Sequence, residues 1–295
     1  MSELLLRRRN LLLRKQEEMN IRAVCFEADG EQTVSITKVG SAPAITMQYS
    51  YDGVNWDAWD LTPLPFGGST KVYVRGVNNA RFATNNTNNT FTFSTDAYVY
   101  VSGIAEALLN GENEVLQYSI SYTFRCLFKG QTALREAHRL RFEAMENSEA
   151  CYDSMFDSCS NLLSAPELPA TKLGYAPYGG MFKKCTSLIN GPSILPATTI
   201  TSWVYCYMFY GCTSLVSAPE LPAETLATSC YYNMFYGCTS LKTIRCRAKV
   251  TASSATVNWM YGVETAGTFY GHSEYGWPTG ASGIPSGWEF VELTD

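Results

Sequence analysis

Large apolar residues recur along the middle of this chain at a spacing too long for one helix or strand. A Met-Phe pair, with Leu seven residues after the Met, appears as "MFDSCSNL" from Met155 and "MFKKCTSL" from Met181. "MFYGCTSL" then occurs twice, from Met208 and from Met234, and "LFKGQTAL" from Leu127 is a looser copy. From Leu127 through Met155, Met181 and Met208 to Met234, the intervals are 28, 26, 27 and 26 residues. Periods of roughly 20–50 residues mark stacked repeat architectures. After each Leu comes a polar, proline-bearing stretch such as "APELPAT" or "APELPAET", where the prolines exclude helix and hold the chain extended. Each unit is therefore expected to give one short strand plus a short helix or 3₁₀ turn, the leucine-rich-repeat kind of coil. One coil cannot bury its own apolar edge, so the identical octapeptides are expected to be adjacent layers of one core.

The flanks follow other patterns. Residues 1–20 predict a helix capped by Ser2, with Leu5, Leu12 and Met19 on one face and Arg8 and Arg9 between them. Two readings stay open for it. It is a solvated terminal helix, or it docks, bundled with copies of itself or lodged in an acidic groove of a larger assembly. The candidate anchoring residues are Leu5, Arg8, Arg9 and Leu12. Residues 21–103 hold short β-branched or aromatic runs ("TVSITKV", "AITMQYS", "KVYVRGV", "FTFSTDAYVYVSG") parted by Gly, Pro and Asn, which predicts a small β-sandwich. Asp52-Gly53 signals a tight hairpin. Residues 104–250 form the repeat array of about five units, and residues 251–295 its C-terminal cap, where Met260 keeps the 26-residue step but the Cys-Thr-Ser-Leu signature is lost. The expected fold class is α+β and multidomain: N-terminal helix, small β-sandwich, leucine-rich-repeat solenoid and cap.

Composition narrows the function. Of 295 residues, 46% are hydrophobic and 17% charged, which fits a folded protein rather than a disordered one. A net charge of −5 without a basic face argues against nucleic acid. The N-terminal stretch "MSELLLRRRNLLLRKQEE" has no apolar run beyond three leucines, short of the ~7–15 a secretory signal needs. No run approaches the ~18 apolar residues of a membrane span. The expectation is a chain that does not use the general secretory route. Cys159, Cys185, Cys212 and Cys238 each follow the repeat Met by four residues, and Cys151 and Cys230 precede it by four. Fixed places in stacked units predict a reduced thiol ladder, at a spacing of about 4.8 Å that also lies within disulfide range.

Catalytic motifs are lacking. His138 and His272 are far apart, and no G-x-S-x-G, H-E-x-x-H, phosphate loop or Cys-x-x-Cys is present. Glu167 and Glu220 recur at one repeat position and read as a surface ladder before a catalytic pair. Ser50, Asp52, Gly53 and Trp56 have the composition of a sialidase-type Asp-box, but the Gly and Trp come too early and an ordinary hairpin is the better reading. No enzyme activity, cofactor or metal is expected. The binding candidates are tyrosines: Tyr205, Tyr207 and Tyr210 flank one Met-Phe, and Tyr231, Tyr232 and Tyr236 flank the next. They either present rings to a sugar or protein, or form the amphipathic rim of the core.

"MFYGCTSL…APELPAETL" resembles the BspA-like leucine-rich-repeat family, and "NWMYGV…GTF…GIPSGW" resembles the terminal cap of its members from Bacteroides-type bacteria and their phages. "MQYSYDGVNWDAW…KVYVRG" resembles the β-module that often precedes such repeats. The first unit departs, with Gln131 at the ladder Cys position and "REAHRLRFEAMENSEA" in place of the proline-bearing strand, so that its strand is bent or lost to a longer helix. The resemblance implies adhesion or surface recognition. Bacterial members are typically exported or lipid-anchored, whereas phage structural proteins are made in the host cytoplasm and released by lysis. The expected protein is a phage virion component, a head fibre or decoration protein. Its partners would be capsid or other virion proteins at the N-terminal helix and a host-surface glycan or protein at the repeats. It is expected to be a homo-oligomer, with a trimer among the options. The alternative is a bacterial cell-surface adhesin.

Overall fold

The computed structural model describes residues 21–85, 88–111, 120–143, 146–249 and 254–294. Its N-terminal part is built from nine strands: β1 (Val24–Glu27), β2 (Thr33–Val39), β3 (Met47–Ser50), β4 (Asp57–Trp59), β5 (Leu64–Pro65), β6 (Lys71–Gly76), β7 (Thr90–Thr95), β8 (Val99–Ile104) and β9 (Leu134–Arg141). Six of them form a sheet in the order β4-β3-β6-β1-β8-β9, and β5-β2-β7 form a second. Alternation sends Val24, Phe26, Val72 and Val74 into the core shared by the two sheets, while Cys25 and Tyr73, on the other face of the first sheet, are buried in a small second cluster with Ala23. Phe26 from the first sheet meets Phe93 from the second with ring centroids 5.2 Å apart, and Trp59 stacks on Phe93. The β3–β4 connection is longer than the two-residue turn that Asp52-Gly53 predicts. The Asp52 carboxylate accepts from the Val54 and Asn55 N–H groups and from the Ser50 hydroxyl, and so organises residues 51–56 as a wider loop.

The first repeat unit enters this sheet directly. β9 comes from "REAHRLR" and pairs parallel with β8, Val99 opposite Leu134 and Ile104 opposite Arg141. Leu134, Ala137 and Leu140 are buried beneath it. Of the two expectations, the longer helix is not formed; the unit keeps an eight-residue strand whose pairing with β8 is irregular, with register shifts between Val99 and Tyr100 and between Tyr100 and Ser102. With no proline between Leu134 and Arg141, its N–H groups can pair.

From Tyr122 onward the chain forms layers that lie one over the next, β9 being the strand of the first. Rings at equivalent positions stack: Phe128, Phe156, Phe182, Phe209 and Phe235 make one column at 5.3–5.6 Å. Phe124, Tyr152, Tyr178, Tyr205, Tyr231 and Trp259 make a second at 5.7–6.1 Å. Phe93 stacks on Phe128, so the first column grows out of the N-terminal sheets and the apolar core is continuous. Trp259, fully buried, joins the two columns, stacking on Tyr231 and tilting against Phe235.

Each layer is held by the backbone in an alternating way. The N–H groups of Tyr152, Ser154, Phe156 and Ser158 donate to carbonyls of the next layer at Pro177, Gly179, Met181 and Lys183. The intervening N–H groups of Met155, Asp157 and Cys159 donate back three residues, to Tyr152, Ser154 and Phe156. Every fourth residue takes a positive φ: Ala150, Ser154 and Ser158 in one layer, and Trp203, Tyr207 and Gly211 two layers on. Consecutive turns of this kind replace a helix, because an α-helix would keep all these donors within its own coil.

That backbone overturns the expected fold class. Among the described residues there is no α-helix, only two 3₁₀ turns at Ala105–Leu108 and Ser273–Tyr275, and the architecture is nearly all β. The leucine-rich-repeat solenoid, with a strand and a helix per coil, is not formed. Its helices are consecutive turns, and its strands shrink to isolated bridges such as Ser164–Asn190, Ile194–Glu220 and Ser217–Thr243. The prolines of the "APELP" segments supply no N–H for a longer ladder. The expected helix over residues 1–20, with Leu5, Arg8, Arg9 and Leu12, lies outside the described residues.

Five further strands complete the chain. β10 (Glu146–Asn147) pairs parallel with β11 (Lys172–Leu173). β12 (Thr243–Arg245), β13 (Gly267–Gly271) and β14 (Trp288–Glu292) form a parallel three-stranded sheet at the C-terminal end.

Candidate functional site

The layers carry side-chain ladders that explain the Cys-Thr-Ser-Leu signature. The thiols of Cys159, Cys185, Cys212 and Cys238 donate to the carbonyls of Phe128, Phe156, Phe182 and Phe209 in the preceding layer, at 3.0–3.1 Å. The hydroxyls of Thr186 and Thr213 do the same on the outside, reaching Ser160 and Thr186 carbonyls. All ten cysteines are buried and none is in a disulfide, and burial pushes the Cys238 thiol up to about 12. These groups are structural. They offer no exposed nucleophile.

The tyrosines expected to bind divide into two sets. Tyr205 and Tyr231 are 1% exposed members of the buried column and carry no binding surface. Tyr207, Tyr210, Tyr232 and Tyr236 stand part-exposed on the outside of the turn segments. Around them the fold gathers residues that sequence reasoning missed. Trp203 packs against Tyr232 at 5.5 Å, Tyr232 meets the edge of Tyr207 at 5.3 Å, and Tyr207 lies 5.9 Å from Tyr210. Tyr210, Tyr236 and Tyr261 then stack in sequence at 4.8 Å per step. The ammonium of Lys183 sits over Tyr207 and Tyr210 at 5.6 and 5.8 Å.

This face is positioned by backbone conformation. Trp203, Tyr207 and Asn233 all occupy the positive-φ place of their turns; Trp203 and Tyr207 are part-exposed there, whereas Asn233 is buried beneath the face. Gly211, Gly237 and Gly262 hold the same place beside the tyrosine stack, with φ between +70° and +73°. Tyr261 joins because the last layer is offset by 25 residues, not 26: the Phe235 N–H donates to Trp259 and the Gly237 N–H to Tyr261. "NWMYG" at Asn258 therefore aligns with "NMFYG" at Asn233, and Trp259 rather than Met260 stands in the Met234 place. That alignment was the signal available for Tyr261.

The stack decides what the face presents. Rings 4.8 Å apart and 8° from parallel cover one another's faces, so Tyr210 and Tyr236 offer solvent their edges and hydroxyls. Such an edge row suits hydrogen bonding to a polar surface better than face-on stacking against a sugar ring. Burial raises the Tyr207 phenol above its ordinary value, so it stays a neutral donor at physiological pH.

The remaining candidates are held in structural contacts. Glu167 accepts from the Ser193 N–H and hydroxyl, and the Glu220 N–H donates to the Ser193 carbonyl from the other side. A whole layer therefore separates the two carboxylates. His138 lies 2.8 Å from Glu136, and His272 lies 3.6 Å from Glu292 in the C-terminal sheet. Among the described residues no cluster of His, Cys, Asp and Glu could hold a metal ion, and no helix is long and apolar enough to cross a membrane. In comparisons with family models, curated proteins and solved structures, nothing matches this chain.

Proposed function

We propose that this protein is a non-enzymatic surface-recognition component of a phage particle, a head fibre or decoration protein. Its N-terminal residues attach to capsid or other virion proteins, and its stacked layers contact a polar host-surface glycan or protein. The observation that carries the recognition reading is the part-exposed aromatic face from Trp203 through Tyr207, Tyr210 and Tyr236 to Tyr261. Aromatic residues with one apolar body and one polar end are the ones that interaction surfaces concentrate. A stack of outward tyrosines is not needed for the core, which Phe and Tyr columns already fill. The particle assignment rests on the likeness of the repeat and C-terminal motifs to proteins of Bacteroides-type bacteria and their phages.

Peptide mass spectrometry of density-purified particles beside washed cell envelopes tests the assignment. Stoichiometric peptides in the particle band are expected. Finding them only in envelopes overturns the virion reading in favour of a bacterial adhesin. Recognition is tested by binding of the purified protein to host cells, where the Tyr210→Ala, Tyr236→Ala pair is expected to lose at least about tenfold in affinity. Unchanged binding by a folded variant sinks the role of this face.

A further inference from the structure

The buried aromatic column does not end at Trp259. Trp277 stacks on it at 5.6 Å and 14° from parallel, with the edge of Phe269 4.8 Å to the side. No further ring stacks beyond Trp277 among the described residues. Instead Trp277 lines a pocket of about 320 Å³ with Trp288, Phe290 and the hydroxyl-bearing Ser273, Thr279 and Ser286. That volume is at the small end of ligand sites, which run from about 300 Å³. None of the residues lining it is charged. The Trp277 indole N–H is shielded and finds no acceptor in the protein, whereas the Trp259 and Trp288 indoles donate to the Gly283 and Glu264 carbonyls. A buried donor left unpaired is uncommon, and it sets the Trp277 indole apart from the other two.

We propose that this pocket binds one neutral pyranose ring of a saccharide, seated on Trp277 as the next member of the column. A sugar ring has an apolar C–H face to lie on an indole and hydroxyls around its edge. Those hydroxyls can exchange hydrogen bonds with Ser273, Thr279 and Ser286, whereas the Trp277 N–H lies in the plane of the indole and reports the ring's surroundings without pairing to the sugar. A charged ligand has no counter-ion among the lining residues. A purely aromatic ligand would leave the hydroxyls unused. None of the tyrosine-face rings lines this pocket, although Pro285 and Ser286 also line an adjoining hollow with Tyr261, and the success or failure of the sugar site does not decide that reading.

The test is titration of the full chain with the methyl glycosides of glucose, galactose, mannose and N-acetylglucosamine, read by the indole N–H resonances in ¹⁵N-labelled protein. The expected result is a saturable shift of the Trp277 resonance by at least one glycoside, with a dissociation constant on the order of 1 mM. Ser286→Phe fills the pocket from an exposed position and should abolish the shift while leaving the Trp259 resonance in place. Thr279→Val should weaken binding several-fold. No saturable shift with any glycoside overturns the proposal. So does a shift that survives Ser286→Phe, or saturation by phenol or indole where every glycoside fails.

Discussion

Tyr236 and Tyr261 stack with centroids 4.8 Å apart, and Tyr236 is itself stacked on Tyr210 at the same distance. The middle ring therefore has both faces covered. Each aromatic pair is worth about 0.5–1.5 kcal/mol beyond area burial, so Tyr236→Ala is expected to cost about 1–3 kcal/mol. Tyr236→Phe keeps both stacks and should unfold within about 0.5 kcal/mol of wild type. Denaturant unfolding of the two variants measures the difference. If Tyr236→Phe loses cell binding while keeping stability, the hydroxyl edge is what the partner reads.

Phe209 is fully buried between Phe182 and Phe235, 5.6 Å from each. Phe209→Ala is expected to destabilise by about 3–5 kcal/mol, because adjoining layers cannot close on the space left. Chemical denaturation checks this. A loss below about 1 kcal/mol would mean that the layers are not coupled through this column.

Lys184 takes a φ of +59° at the place that Gly211 and Gly237 fill in the next two layers. A left-handed conformation costs a side-chain-bearing residue about 1–2 kcal/mol, and glycine costs about 0.4–1 kcal/mol more chain entropy. Lys184→Gly should therefore stabilise by about 0.5–1 kcal/mol. Gly237→Ala should destabilise by about 1 kcal/mol, through conformation rather than collision, since an added Cβ would lie 3.8 Å from its nearest neighbour. Paired thermal melts read both signs.

The buried thiols make stability fall in alkali. Burial raises Cys206, Cys230, Cys238 and Cys246 from the ordinary 9.0 to about 12. Between those values the folded chain holds protons that the unfolded chain has released. Their contribution is thus complete below pH 9 and is lost as pH rises towards 12. The slope is about 1.4 kcal/mol per pH unit for each thiol. Unfolding measured from pH 8 to pH 11 should show the fall, and Cys238→Ala should make it shallower by one thiol's share. At pH 7 a thiol reagent should leave the native protein unlabelled and react with all ten cysteines after denaturation.

The sequence announced the period and the core but not the path of the backbone. Met155, Phe156 and Leu162, and their counterparts in later units, are all fully buried, as their recurrence required. Composition and spacing could not show that alternate N–H groups would leave the coil for the next layer. That choice depends on φ at residues such as Ala176 and Lys184, whose types give no hint of the left-handed region. Helix was therefore expected where turns formed. The one-residue slip that seats Trp259 over Met234 was visible in "NWMYG" but hidden by counting from methionine alone. Among the tyrosines, the available signal was the aromatic three residues before the Met or Leu in every unit (Phe124, Tyr152, Tyr178, Tyr205 and Tyr231), which marks Tyr205 and Tyr231 as core and leaves Tyr207 and Tyr210 for the outside.

Because the Phe and Tyr rings meet only the layers directly above and below, the interval between the N-terminal sheets and the C-terminal pocket is a length the genome can edit. An in-frame duplication of one unit would insert a layer whose contacts already exist on both sides. The protein would gain reach without redesigning either end. The two identical octapeptides have the form that such an extension leaves behind.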